Sequence, residues 1–175
     1  MAVLAPVVAL VGAVAVVNLI LTYGLIRRLR TQGPPSRPAG PIDAASVGAT
    51  AGPFSVQAVD GTALTREDLP DGALVGFFTP GCEPCTELLP RFVTAVRRLG
   101  LPRNGVLAVV APGAGQHAYS DELGGIARVT VGDDALRVAE AFGITGYPVV
   151  CRVASDGRVT VIDRDLAGLL TEAVA

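Results

Sequence analysis

The sequence predicts an α/β fold: a central mixed β-sheet flanked by helices, preceded by one N-terminal transmembrane helix. Three observations carry that prediction. Two short, continuous apolar runs, Ala73–Phe78 and 105–111, are too short for helices and read as buried central strands. Between them Leu88, Leu89, Phe92, Val93, Val96 and Leu99 recur at helical spacing, with Arg91, Arg97 and Arg98 off that face. Residues 3–26 carry no charge, and about 20 apolar residues suffice to span a bilayer core.

The 175 residues divide into a membrane anchor with its basic flank (1–30), a flexible linker (31–52) and a folded domain (53–175). Asn18 is the one strongly polar side chain of the anchor. A cleaved signal peptide fits less well, since no basic region precedes the run and the run exceeds a usual signal core. Arg27, Arg28, Arg30 and Arg37 follow the span, and the positive-inside rule would turn that side to the cytoplasm. The linker is rich in Pro, Gly, Ala and Ser, and lacks the apolar surface to fold. With a formal charge of -2, all 14 basic residues being arginine, the chain has no basic footprint for nucleic acid.

Within the domain, Phe54, Val56 and Ala58 alternate with Ser55 and Gln57 as a short strand. Asp60-Gly61 turns into a second strand near 62–64, and Thr65-Arg66-Glu67-Asp68 reads as a capped helical turn. The amphipathic helix after Cys85 contains Pro90, which should bend it, and ends at Gly100. A loop at 112–116, a short helix near 119–124 and a strand at 126–131 follow. Asp133 is expected to cap a helix at 134–142, with Leu136, Val138 and Ala139 as core. Strands at 148–154 and 158–162 flank Asp156-Gly157, a strong hairpin signal, and an amphipathic helix at 166–174 closes the chain.

The chemistry lies where the first apolar run meets the helix, at Phe77-Phe78-Thr79-Pro80-Gly81-Cys82-Glu83-Pro84-Cys85. A C-x-x-C pair beside a strand–helix pattern points to thiol redox chemistry. Two intervening residues let one helical turn bring the sulfurs to disulfide distance. Cys82, at the helix N-terminus, is expected to be the nucleophile, because unpaired N–H groups and the positive end of the dipole favour an anion there. Cys85, one turn in, is expected to resolve the mixed disulfide. Pro84 suits a first-turn position. The bland alternative is half of a zinc site, for which Cys151 and His117 are the remaining ligand candidates. A second feature, Gly143-Ile144-Thr145-Gly146-Tyr147-Pro148, precedes an apolar strand and by itself reads as a strand-entry proline.

Taken together, these features resemble the thioredoxin superfamily from residue 53 onward, and within it the TlpA/ResA-like membrane-anchored thiol–disulfide oxidoreductases. Phe77 to Cys85, with Pro90 five residues after the second cysteine, is similar to the family's active-site helix. Thr145-Gly146-Tyr147-Pro148 resembles the loop whose proline is cis and faces the cysteines. Cys-Glu-Pro-Cys resembles reductants of the cytochrome c maturation type. Phe77-Phe78-Thr79-Pro80 and Leu88-Leu89-Pro90 look closer to thioredoxin-like proteins of methylamine dehydrogenase maturation. The resemblance implies a thioredoxin-like fold, a redox-active Cys82–Cys85 disulfide in place of any dissociable cofactor, and no metal. It also implies a substrate groove shaped by Pro148 with Thr145 and Tyr147, support from Pro80, Glu83 and Pro84, and a domain outside the membrane. Its partners would be protein disulfide or dithiol substrates and an upstream dithiol electron donor.

The chain departs from that pattern in three places. Thioredoxins carry a buried Asp where Gly76 stands, TlpA-like proteins usually carry Glu where Leu88 stands, and Gly81 replaces the usual Trp. The resemblance therefore supplies no proton acceptor for Cys85. Cys151, on a core strand, reads as a small buried hydrophobe. His117, in a Gly-rich loop, reads as solvated, with copper binding alongside Cys82 and Cys85 as the competing view. Thr79, three residues before Cys82, resembles a peroxiredoxin site, but Val75 stands where the required proline would be.

Overall fold

The structure, a computed structural model, describes residues 46–163 together with Gly12 and Leu166. The expected span at 3–26, most of the linker and the expected closing helix lie outside the described residues, apart from Gly12 and Leu166. Among the described residues no helix is long and apolar enough to cross a membrane.

The elements run β1 (Ser55–Gln57), β2 (Ala63–Thr65), β3 (Ala73–Phe78), α1 (Glu83–Leu99), β4 (Val106–Val110), α2 (Gln116–Gly124), β5 (Arg128–Val131), α3 (Gly132–Ala141), β6 (Val149–Val153) and β7 (Val159–Asp163). Five strands form one sheet in the order β5-β4-β3-β6-β7. β3, β4 and β5 are mutually parallel, while β6 and β7 run antiparallel. The parallel neighbours are joined through α1 and α2, since a parallel pair needs a crossover rather than a hairpin. β3 lies in the middle, and all six of its residues are buried, as its uninterrupted apolar run requires.

Alternation along β3 divides the core in two. Ala73, Val75 and Phe77 join Val138, Ala139 and Phe142 on one face. Leu74 and Phe78 join Leu88, Leu89, Phe92 and Val96 of α1 on the other. Burying each large apolar side chain stabilises by about 1.5–3 kcal/mol, so these faces fix where α1 and α3 lie. α1 runs through Pro90 unbroken, although the proline cannot donate to the Thr86 carbonyl. Gly100, at φ 62°, closes the helix, with its N–H on the Arg97 carbonyl.

The amino-terminal hairpin pairs Val56 with Leu64, and its turn is held by the Thr62 N–H on Asp60 Oδ1 at 3.0 Å. Arg66–Asp68 form a 3₁₀ turn in which Asp68 Oδ2 accepts from both Thr65 N and Thr65 Oγ1 at 2.8 Å. Residues 48–52, which composition assigns to the linker, are hydrogen-bonded to the domain. Val159 N donates to Ala49 O (2.8 Å), Gly52 N donates to Ala141 O (2.7 Å), and Ala51 is buried.

Two local expectations are corrected. α3 starts at Gly132, not after Asp133, and its N-cap is Val131 with no side-chain cap bond. Asp133 and Asp134 lie instead in the first turn, where the helix dipole favours them, and Asp134 accepts from Gln57 N and pairs with Arg137. This phase turns Ala135, Val138 and Ala139 inward and leaves Leu136 46% exposed. His117 is exposed, but in the first turn of α2 rather than in the preceding loop.

Candidate active site

β3 ends at Phe78 and passes to α1 through Thr79-Pro80-Gly81-Cys82. Gly81 has φ +80°, and no atom would obstruct a Cβ there, so the backbone conformation rather than space demands glycine. That explains the missing Trp. Cys82 is the N-cap of α1, and its sulfur accepts the Cys85 N–H at 3.3 Å, the role a Ser or Asp oxygen usually fills. The Cys82 carbonyl accepts from Cys85 N, Thr86 N and Thr86 Oγ1 at 3.1–3.2 Å. With its own proton directed to that carbonyl, Thr86 Oγ1 accepts from Tyr119 Oη of α2 at 3.1 Å. A chain of hydrogen bonds thus braces the first turn of α1 against α2. Nothing in the spacing of Thr86 and Tyr119 announces that link, which closes only in three dimensions.

Across the site, the Tyr147–Pro148 peptide is cis, and Cys82 Sγ donates to the Tyr147 carbonyl at 4.0 Å. The two features that the sequence separates by some 60 residues therefore meet. Tyr147 is half-buried and packs against both core clusters, Pro148 is buried, and Thr145 is exposed. Pro80 is half-buried, with Gly113 close enough that a Cβ there would stand 3.3 Å from the Pro80 Cβ. Glu83 and Pro84 occupy the first two helical positions and are exposed.

The two thiols are unequal. Cys82 is half-exposed, whereas Cys85 has no exposed surface, and both are free thiols. Burial, with a contribution from the Cys82 sulfur, pushes the Cys85 thiol up to about 12. Burial also raises the Tyr147 phenol, and the Cys85 charge adds to that. Cys151 lies in the other core cluster, across the sheet from Cys85, and burial pushes its thiol up to about 12. It sits as a packed small hydrophobe and does not join the pair. Among the described residues no three His, Cys, Asp or Glu side chains converge as a metal site.

Gly76 also has a structural reason. A Cβ there would stand 2.8 Å from Phe78 Cε2 and 3.0 Å from Phe92 Cε2 and Cζ. These two rings meet edge-on, 5.3 Å apart at 73°, and occupy the space that a carboxylate on β3 would need. Leu88, at the other position where a carboxylate is expected, is 2% exposed within the same apolar cluster.

The fold matches solved structures over most of their length. The thioredoxin domain of a thiol-disulfide oxidoreductase from Bacteroides vulgatus aligns with a TM-score of 0.57 and 18% identity, over 74% of this chain and 99% of that one. A thio-disulfide isomerase from Thermus thermophilus gives 0.57 and 18%, over 74% and 98%. A secreted disulfide oxidoreductase from Mycobacterium tuberculosis, described as homologous to E. coli DsbE, gives 0.54 and 13%, over 69% and 93%. No family model and no curated protein matches the sequence. At these identities the likeness is one of fold: the domain has the thioredoxin-like α/β fold shared by thiol–disulfide oxidoreductases.

Proposed function

We propose that this chain is a membrane-anchored thiol–disulfide oxidoreductase that reduces disulfides in extracytoplasmic protein substrates through Cys82-Glu83-Pro84-Cys85. One observation carries the reading: a half-exposed sulfur caps a helix, faces the Tyr147 carbonyl, and has a fully buried thiol one turn behind it. Cys82, as thiolate, attacks a substrate disulfide, and the departing substrate sulfur takes up a proton. Cys85 then attacks Cys82 Sγ and expels the second substrate sulfur. The protein is left as the Cys82–Cys85 disulfide, two electrons poorer, and an upstream dithiol restores it. Thr145, Tyr147 and Pro148 border the groove in which the substrate strand lies. The purified full chain is expected to accelerate reduction of insulin disulfides by dithiothreitol, and a rate equal to the reagent alone would overturn the reading.

The anchor is residues 3–26, with the domain held outside the membrane against the bias of the arginines that follow the span. In intact cells, a membrane-impermeant maleimide is expected to label Cys82 without permeabilisation. Labelling only after lysis would place the domain in the cytoplasm.

A further inference from the structure

The Cys82 sulfur and the Cys82 carbonyl compete for one donor. Cys85 N lies 3.3 Å from Cys82 Sγ and 3.1 Å from Cys82 O, so a single proton is shared between them. As a thiolate the sulfur draws that proton more strongly than the neutral carbonyl does, because hydrogen bonds to ionised acceptors are the stronger ones. The carbonyl then depends on its other two donors, Thr86 N at 3.1 Å and Thr86 Oγ1 at 3.2 Å. Any helix supplies the N–H, but the hydroxyl requires a Ser or Thr four residues on. Thr86 is exposed, so water competes for that hydroxyl. Tyr119 Oη of α2 stands 3.1 Å from Thr86 Oγ1. A carbonyl only accepts, so both Thr86 bonds form together only when Tyr119 donates and Thr86 aims its one proton at Cys82 O. Tyr119 is itself buried, and its ring lies 6.4 Å from that of Phe78, which holds the phenol in place.

We propose that Tyr119 is a positioning residue for Cys82, acting through the Thr86 hydroxyl, a role that rests on the oxidoreductase reading of the site. The Tyr119 phenol orients the Thr86 hydroxyl, and the hydroxyl keeps the Cys82 carbonyl satisfied. The Cys85 N–H is thereby freed for the sulfur whenever the sulfur carries charge. Tyr119 exchanges no proton with Cys82.

The test measures alkylation by iodoacetamide in the reduced full chain at one fixed, neutral pH, where Cys82 reacts because Cys85 and Cys151 are buried. Tyr119→Phe keeps the ring and removes only the hydroxyl, and Thr86→Val removes the other hydroxyl at constant shape. Each is expected to slow alkylation about two- to tenfold, the worth of one net hydrogen bond, with an unfolding midpoint close to that of the parent. Thr86→Ser, which keeps a hydroxyl at this position, is expected to recover most of the rate that Thr86→Val loses. The double variant Tyr119→Phe with Thr86→Val is expected to be no slower than Thr86→Val alone, because Tyr119 acts only through Thr86. A Tyr119→Phe protein alkylated at the parental rate would overturn the proposal. So would a double variant slowed by the product of the two single effects, or a Thr86→Ser protein as slow as Thr86→Val. A parent that does not accelerate insulin reduction would instead overturn the oxidoreductase reading, while the alkylation rates test the positioning role by themselves.

Discussion

Cys82→Ser is expected to reduce insulin disulfide reduction to the uncatalysed rate, a fall on the order of 10³-fold or more, with the fold intact. The two halves of that outcome have separate causes. Catalysis is lost because a serine hydroxyl stays protonated at neutral pH and cannot form the mixed disulfide. The fold persists because the sulfur's structural duty is to accept the Cys85 N–H at the helix N-cap, and serine is a preferred residue for that bond. The unfolding midpoint should therefore stay close to that of the parent. Undiminished reduction by the variant would remove Cys82 from the chemistry. Loss of activity together with unfolding would show that the sulfur is needed for packing, and the variant would then say nothing against a catalytic role; alkylation of Cys82 in the native parent separates those cases.

Gly76→Asp, which would restore the carboxylate that thioredoxins carry on this strand, is expected to destabilise by several kcal/mol. The Cβ alone would meet Phe78 and Phe92 at 2.8–3.0 Å, and overpacking of this kind costs about 1–3 kcal/mol. The carboxyl group would add the cost of a buried polar group with no partner. Phe92→Ala on its own leaves a cavity and costs about 3–5 kcal/mol. The double variant should be less destabilised than the sum of the two, because the aromatic edge and the new side chain compete for one space. Urea midpoints of the three variants measure this. A Gly76→Asp protein within about 1 kcal/mol of the parent would show that the ring pair yields easily, and the account of Gly76 would fail.

Much of the fold was legible because its signals are local. The apolar run Ala73–Phe78 has no polar face, which only a strand buried on both sides accepts. The helical spacing from Leu88 to Val96, Gly100 at its end and Asp156-Gly157 between two strands are likewise written in neighbouring residues. Where local signals compete, the reading slipped. Asp133 looks like a cap, yet the chain enters α3 two residues earlier, with Val131 at the cap, and Leu136 is left exposed while Ala135 is buried. Composition assigned residues 48–52 to the linker, because backbone pairing to β7 and to Ala141 needs no apolar side chain to announce it.

For the site, the sequence by itself pointed to the cysteine pair and its order along the helix, while the loop expected to face it came only from the family resemblance and by itself read as a strand-entry proline. C-x-x-C at a strand–helix junction leaves Cys82 at the open end of the helix and Cys85 one turn inside. Tertiary structure decided what surrounds them. It brought the Tyr147 carbonyl to the Cys82 sulfur, tied Thr86 to Tyr119, put Cys151 on the far side of the sheet, and filled the space beside Gly76 with two aromatic rings. The identity of a nucleophile is a property of one residue and its place in a helix. The strength of its partner as an acid depends on every group that excludes water from it, and those groups come from strands and helices far apart in the chain.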